Sequence, residues 1–236
     1  MTGEHSSKQY DLDLESIRSR VLLMGGLVET HFLDAVSCLR IANVERAEQI
    51  MKSDEQVNQL ELVLDEACRN LIVKRQPAAN DLRTVMATVK VITDLERIGD
   101  EATKVARCGR NLVERGNVSI DSAEMVRGIA SGANELLHGA LDAFARLDAD
   151  QARQLILQDK VIDHEFRSVM RNLITFMMED PRTISAALET LWAAKSIERV
   201  GDHAKNIAEY VIFVVEGKDI RHSSNRQSVP QTDTTA

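Results

Sequence analysis

Two stretches of this chain place a Glu and an Asp four residues apart around a glycine: "LERIGDEA", with Glu96 and Asp100, and "IERVGDHA", with Glu198 and Asp202, 102 positions further on. At about 100° of helical rotation per residue, positions i and i+4 stand about 40° apart, so each pair stacks its carboxylates on one helix face. Left unneutralised, like charges so placed cost an isolated helix roughly 0.2–0.5 kcal/mol per pair. Gly99 and Gly201 add a second cost, roughly 1 kcal/mol each against Ala in a helix interior. Local rules broken together, at matching places in two segments, point to function or to close packing. The chemistry that stacked carboxylates offer is cation binding.

Complements stand upstream of each stretch. "SDEQVN" carries Asp54 and Asn58, and "DKVIDHE" carries Asp159 and Asp163, again four apart. Antiparallel helices with short connections bring such pairs opposite the Glu and Asp, gathering several carboxylate oxygens and one amide. All-oxygen ligation suits hard or borderline cations such as Mg, Ca, Mn or iron. His203 and His164, beside Asp202 and Asp163, could add nitrogen and shift the preference to iron or zinc, although the first half has Glu101 and Gln59 at those places. An acidic pair on a helix is ordinarily a solvated face, with Arg97 or Arg199 as ready partners. Repetition at four corresponding places tips the reading toward metal.

Long helices must position these groups. Leu, Ala, Glu, Arg, Lys and Met, all good helix formers, dominate the sequence, and it holds only three prolines. Apolar residues recur at spacings of three and four, as in Ile17, Val21, Met24, Val28, Phe32, Ala35 and Leu39, which marks one stripe of an amphipathic helix. Further stripes run from Ile50, Leu82, Ile129, Leu155 and Leu188. Breaks fall at "RIANVE", at "KRQPAAND", where Pro77 restricts Gln76 toward extended backbone, at "ERGNVSID", at "LDAD" and at "EDPRT", where Asp180 can cap and Pro181 can open a helix. "RNLI" at Arg69–Ile72 returns at Arg171–Ile174, the same 102 residues on. The expectation is an all-α chain of two tandem, sequence-related three-helix bundles, six long antiparallel helices in all. Residues 1–9 read as a flexible N-terminus, 10–116 as the first repeat, 117–217 as the second and 218–236 as a disordered tail.

Composition excludes other classes. A net charge of −8 and 3% aromatic residues argue against nucleic-acid binding and point to cations or basic partner surfaces. No run of about 18 apolar residues stands out as a bilayer span, and "MTGEHSSKQYDLD" lacks the basic stretch followed by an apolar one that an export signal shows. Cys38, Cys68 and Cys108, odd in number and widely spaced, read as reduced thiols of a cytoplasmic protein. No glycine-rich phosphate cradle and no nucleophile–base constellation is present. A ferritin-like di-iron enzyme would need two Glu-x-x-His elements, and only Glu135 to His138 has that form.

The paired "DLERIGDEATKVA" and "SIERVGDHAKNIA", with "RQPAANDLR" and "MMEDPRTI" at the bundle turns, resemble the PhoU family of phosphate-transport regulators, over about Asp11 to Glu216. That resemblance implies two similar three-helix bundles, often as a homodimer, in a cytoplasmic protein without enzyme activity. It implies a negative regulator that couples the ATPase subunit of a phosphate ABC transporter to a membrane sensor histidine kinase. Some family members hold multinuclear metal clusters on paired E/D-x-x-x-D elements. Asp159, Asp163, Glu198 and Asp202 match them, as do Asp54, Glu96 and Asp100, whereas Asn58 departs from the acidic pattern and implies a weaker first site.

Overall fold

The computed structural model describes residues 3–40, 44–114 and 121–220. Six helices and one short 3-10 turn account for nearly all of them: α1 (Gly3–Cys38), α2 (Val44–Arg75), α3 (Asn80–Glu114), α4 (Ser122–Arg146), α5 (Ala149–Glu179), the 3-10 turn Pro181–Thr183 and α6 (Ile184–Glu216). The expected boundary between repeats at 116/117 and most of the expected tail, 221–236, lie outside the described residues. Helix α1 starts at Gly3, inside the stretch read as flexible.

Turn chemistry sets the helix ends. Asp121 caps α4 by accepting from the Glu124 amide at 3.0 Å, and Leu147 closes it in the left-handed region at φ 54°. Asp148 at once caps α5, accepting from the amides of Asp150 and Gln151, so "LDAD" is a stop and a start in four letters. Asp180 accepts from the Arg182 amide and Pro181 opens the 3-10 turn. Helix α6 ends at Gly217, φ 74°, a left-handed cap that glycine adopts without a Cβ penalty. At the α2–α3 connection the structure corrects the sequence reading: Gln76 stands at φ 49°, left-handed rather than extended, and Ala79 at φ 46°.

Each half is a triangle of helices, α1–α2–α3 and α4–α5–α6. The largest interface in the molecule is α3 against α6, braced by a smaller contact of α1 with α4. Among the described residues α2 touches only α1 and α3, and α5 only α4, α6 and the 3-10 turn. The stripes read from sequence are the core: Val21, Met24, Val28, Phe32, Ala35, Val57, Leu64, Ile92, Ala133, Leu136, Leu173, Ile197 and Ile207 are wholly buried. Burial of such side chains contributes about 25 cal/mol per Å² of apolar surface. Within Lys8–Cys38 one window is long and apolar enough to cross a membrane, an exception to the sequence reading. Its apolar stripe, Ile17 to Ala35, packs into the helical core. Arg18 ties α1 to the end of α4, donating to the Ala145 carbonyl at 2.7 Å and the Phe144 carbonyl at 3.3 Å, where a cation also meets the negative end of the helix dipole. The three cysteines are free and buried.

Gly109 shows where α1 and α3 come closest. A Cβ there would stand 2.9 Å from both the carbonyl carbon and the oxygen of Cys38, backbone atoms that cannot step aside as a side chain can. Gly109→Ala is expected to lower stability by about 1–3 kcal/mol, an overpacking cost that exceeds the helix-propensity gain of about 1 kcal/mol. Urea denaturation monitored by circular dichroism measures it; unchanged or increased stability would show that the two helices have room to part.

Candidate functional site

The two glycines of the repeated motif serve packing of matching kinds. A Cβ on Gly99 would lie 3.1 Å from Asp54 Oδ1 and 3.3 Å from Val57 Cγ1 of α2, and one on Gly201 would lie 3.1 Å from Ile162 Cδ1 of α5. Val57 and Ile162 each stand three residues after the aspartate of their helix, Asp54 or Asp159. The absent side chains thus let α2 against α3, and α5 against α6, approach at the level of the acidic pairs.

On the first half this approach concentrates negative charge. Burial raises the Asp54 carboxyl above its usual range, and Asp100 adds to the rise while a Thr103 hydrogen bond opposes it. Glu96 is raised by burial and then by Asp100, Glu61 and Asp54. Glu61 is raised by burial, Asp65 and Asp100. Asp54, Asn58, Glu61 and Asp65 recur at helical spacing on one face of α2, and Asp54 and Glu61 feel the charges of Glu96 and Asp100 on α3. Oδ1 of Asp54, of Asn58 and of Asp65 is buried with no hydrogen-bond partner. Leaving such an acceptor unpaired costs about 1–3 kcal/mol, and an oxygen-seeking cation would remove that cost. Glu61 and Asp65 escaped the sequence reading, although their spacing from Asn58 continues the same stripe.

The second half solves the same problem with its own cations. Lys205 Nζ donates to Asp159 Oδ2 at 2.6 Å, and Lys195 Nζ to Glu198 Oε2 at 2.5 Å. Asp202 is raised by burial and then by Glu198 and Asp159, with Lys205 and Lys195 opposing. Asp163 shares the α5 stripe and is half-buried. Where α2 has Glu61 and Asp65, the corresponding places on α5 hold Phe166 and Met170, and Lys195 lies over the Phe166 ring at 5.3 Å. Among the described residues the first half, which holds the amide, has more carboxylates and no lysine paired to them, with only Arg97 of α3 opposing the rise of Glu96, and it is therefore the better fit to a cation. Among the described residues no three His, Cys, Asp or Glu side chains converge tightly enough to chelate an ion.

The histidines go elsewhere. His203 Nδ1 is 2.7 Å from Asp94 Oδ1 across the α3–α6 seam, and His164 is exposed. His138 meets Glu29 at 3.1 Å, while Glu135 accepts from Ser131 on its own helix. The buried polar seam was not foreseen: Asn206 also donates to Asp94 at 3.2 Å, and Arg199 and Lys104 both hold Glu101 Oε1, at 2.8 and 3.0 Å.

Duplicated three-helix units, joined antiparallel at their third helices and bearing a carboxylate cluster on each flank, define a class of tandem helical-bundle protein. The family model described as "PhoU domain" matches twice, at residues 21–109 and 126–211. The chain belongs to the PhoU family. It is 47% identical to the phosphate-specific transport system accessory protein PhoU homolog of Pseudomonas putida, over 98% of this chain and 90% of that one. To the protein of that name without "homolog" from Escherichia coli (strain K12) it is 41% identical, over 93% and 90%. Among solved structures, PhoU from Pseudomonas aeruginosa superposes with a TM-score of 0.85 at 47% identity, covering 89% of this chain and 100% of that one. The phosphate transport system regulatory protein PhoU from Streptococcus pneumoniae does so at 0.82 and 25% identity, covering 89% and 99%.

The raised carboxyls of Asp54, Glu61 and Glu96 make the native state bind protons more tightly than the unfolded chain. Stability without cations therefore falls as pH rises from about 4 through those raised values. Asp100→Asn is expected to flatten that fall and to stabilise the cation-free protein at neutral pH by roughly 0.5 kcal/mol, the scale of a like-charge helix pair. Thermal melts in chelator from pH 4.5 to 7.5 test it, and a variant with an unaltered slope would disprove the repulsion.

Proposed function

We propose that this protein is an accessory regulator of phosphate uptake that acts by binding and not by catalysis. In this reading it is a negative regulator of the phosphate-starvation response, a cytoplasmic homodimer linking the ATPase subunit of a phosphate ABC transporter to a membrane sensor histidine kinase. The supporting observation is that relatives 41% to 49% identical, over at least 92% of the chain, carry the name phosphate-specific transport system accessory protein. Coupling of this kind requires the adaptor to bind one state of each partner more tightly than the other. Six stiff helices without a hinge in the third or sixth suit a body that transmits contact. In cells that lack the chain, alkaline phosphatase is expected to be made constitutively at high phosphate; normal repression there would refute the regulatory reading.

Metal binding is part of the proposal. Asp54, Asn58, Glu61, Asp65, Glu96 and Asp100 would hold an iron, manganese, zinc or magnesium ion, which supplies the positive charge those oxygens lack. Asp159, Asp163, Glu198 and Asp202 would take one only in competition with Lys195 and Lys205. Protein prepared with manganese or iron is expected to retain metal by elemental analysis. Glu96→Ala with Asp100→Ala should remove most of it, and Glu198→Ala with Asp202→Ala a smaller share. Metal-free native protein, or a larger loss from the second pair, would overturn the assignment.

A further inference from the structure

The net charge of −8 hides a cationic face. Between the second half of α3 and the first half of α6 lies an open groove of about 400 Å³, whose lining includes Lys104, Arg107, Lys195 and Arg199. Its two carboxylates sit beneath: Glu101 is 2% and Glu189 1% exposed. Glu101 Oε1 is held by Lys104 and Arg199, and Glu189 accepts from Asn111 at 3.2 Å. The charges in this lining that reach solvent are therefore all positive, and exposed Arg107 enters no ion pair among the described residues. Beside them stands Trp192, the only tryptophan of the chain, 55% exposed. A large ring left in water next to fixed cations is what interface anchors look like before a partner arrives, since Trp and Arg dominate binding hot spots. The groove spans both repeats, so whatever fills it clamps the α3–α6 seam.

We propose that this groove docks an acidic segment of a partner protein, its carboxylates on Lys104, Arg107 and Arg199 and an apolar side chain on Trp192. Charge complementarity names the occupant: a basic segment would be repelled, and a second copy would bring the same cations. This rests on the adaptor reading above and says where that adaptor is gripped. Lys104 and Arg199 are poor test positions, because removing either weakens the pairing of buried Glu101. Trp192 and Arg107 are exposed, so their loss leaves the core intact.

The test measures binding of the full chain to the purified transporter ATPase and to the kinase's cytoplasmic region. Trp192→Ala should weaken binding to at least one of them about tenfold or more. Arg107→Glu should slow association severalfold, with the difference shrinking as salt is raised; Arg107→Ala, a milder change, should lie between. Circular dichroism checks that each variant is folded. If the unaltered chain binds neither protein, the adaptor reading falls and this inference with it. If it binds and the variants bind equally well, the adaptor stands and the groove is not its docking surface. Trp192→p-benzoylphenylalanine, irradiated in the complex, should crosslink to a segment rich in Asp and Glu. A crosslink to a basic or neutral segment, or to a second copy, would overturn the proposal. So would competition by millimolar inorganic phosphate or ATP at constant ionic strength, which would make the groove a small-anion site.

Discussion

The α3–α6 seam is the constraint on which the molecule turns. Asp94 faces His203, Glu101 faces Arg199 and Asn111 faces Glu189, so the two third helices run antiparallel with a register fixed by buried polar contacts. Apolar side chains alone tolerate sliding; a buried carboxylate with one set of donors does not. Leaving a buried acceptor such as Asp94 without its donors costs about 1–3 kcal/mol, which makes alternative registers expensive. Among the described residues α2 and α5 reach the rest of the fold only through their own bundles, so this alignment, with the smaller α1–α4 contact, sets where the two acidic flanks lie.

The two flanks share a plan and differ in their charges. Both keep a glycine that lets a neighbouring helix close in and both keep the Glu–Asp step. One flank has gathered extra carboxylates and leaves buried oxygens without donors; the other has installed Lys195 and Lys205 against its acids. Repulsion among the acids is thus met by lysine on one side only, and there in part, since Asp202 is still raised. The same division explains why overall charge misleads here: the acids cluster or sink, while basic ends along part of the seam stay outermost.

The helices were legible from the chain because their periodicity is long and their capping residues are unambiguous. Asp148 and Asp180 cap where Asp beside a break should, and Gly217 stops α6 as expected. The left-handed Gln76 was not legible from the proline rule for the residue before Pro77; it closes α2 as a left-handed cap, its amide donating to the Ile72 carbonyl at 2.9 Å. Repetition in the sequence singled out eight candidate residues; Glu61 and Asp65, which extend the acidic stripe of α2, drew no notice because nothing in the second half echoes them. Asn58 suggested a weaker first site; the lysines that meet the acids of the second half, Lys195 and Lys205, lie on α6 and reach Glu198 and Asp159 only once the chain is folded. His203 illustrates the converse: adjacent to a candidate ligand in sequence, it points across the seam instead.

The three cysteine thiols carry a practical corollary. Burial raises the Cys38 thiol, pushes Cys68 to about 11 and, aided by Glu189, Cys108 to about 12, so almost none is thiolate at neutral pH. Only the thiolate attacks alkylating reagents and oxidants. Buried and protonated, the native thiols of the folded protein react slowly with maleimides, so a new cysteine placed on its surface would take a fluorophore or spin label first.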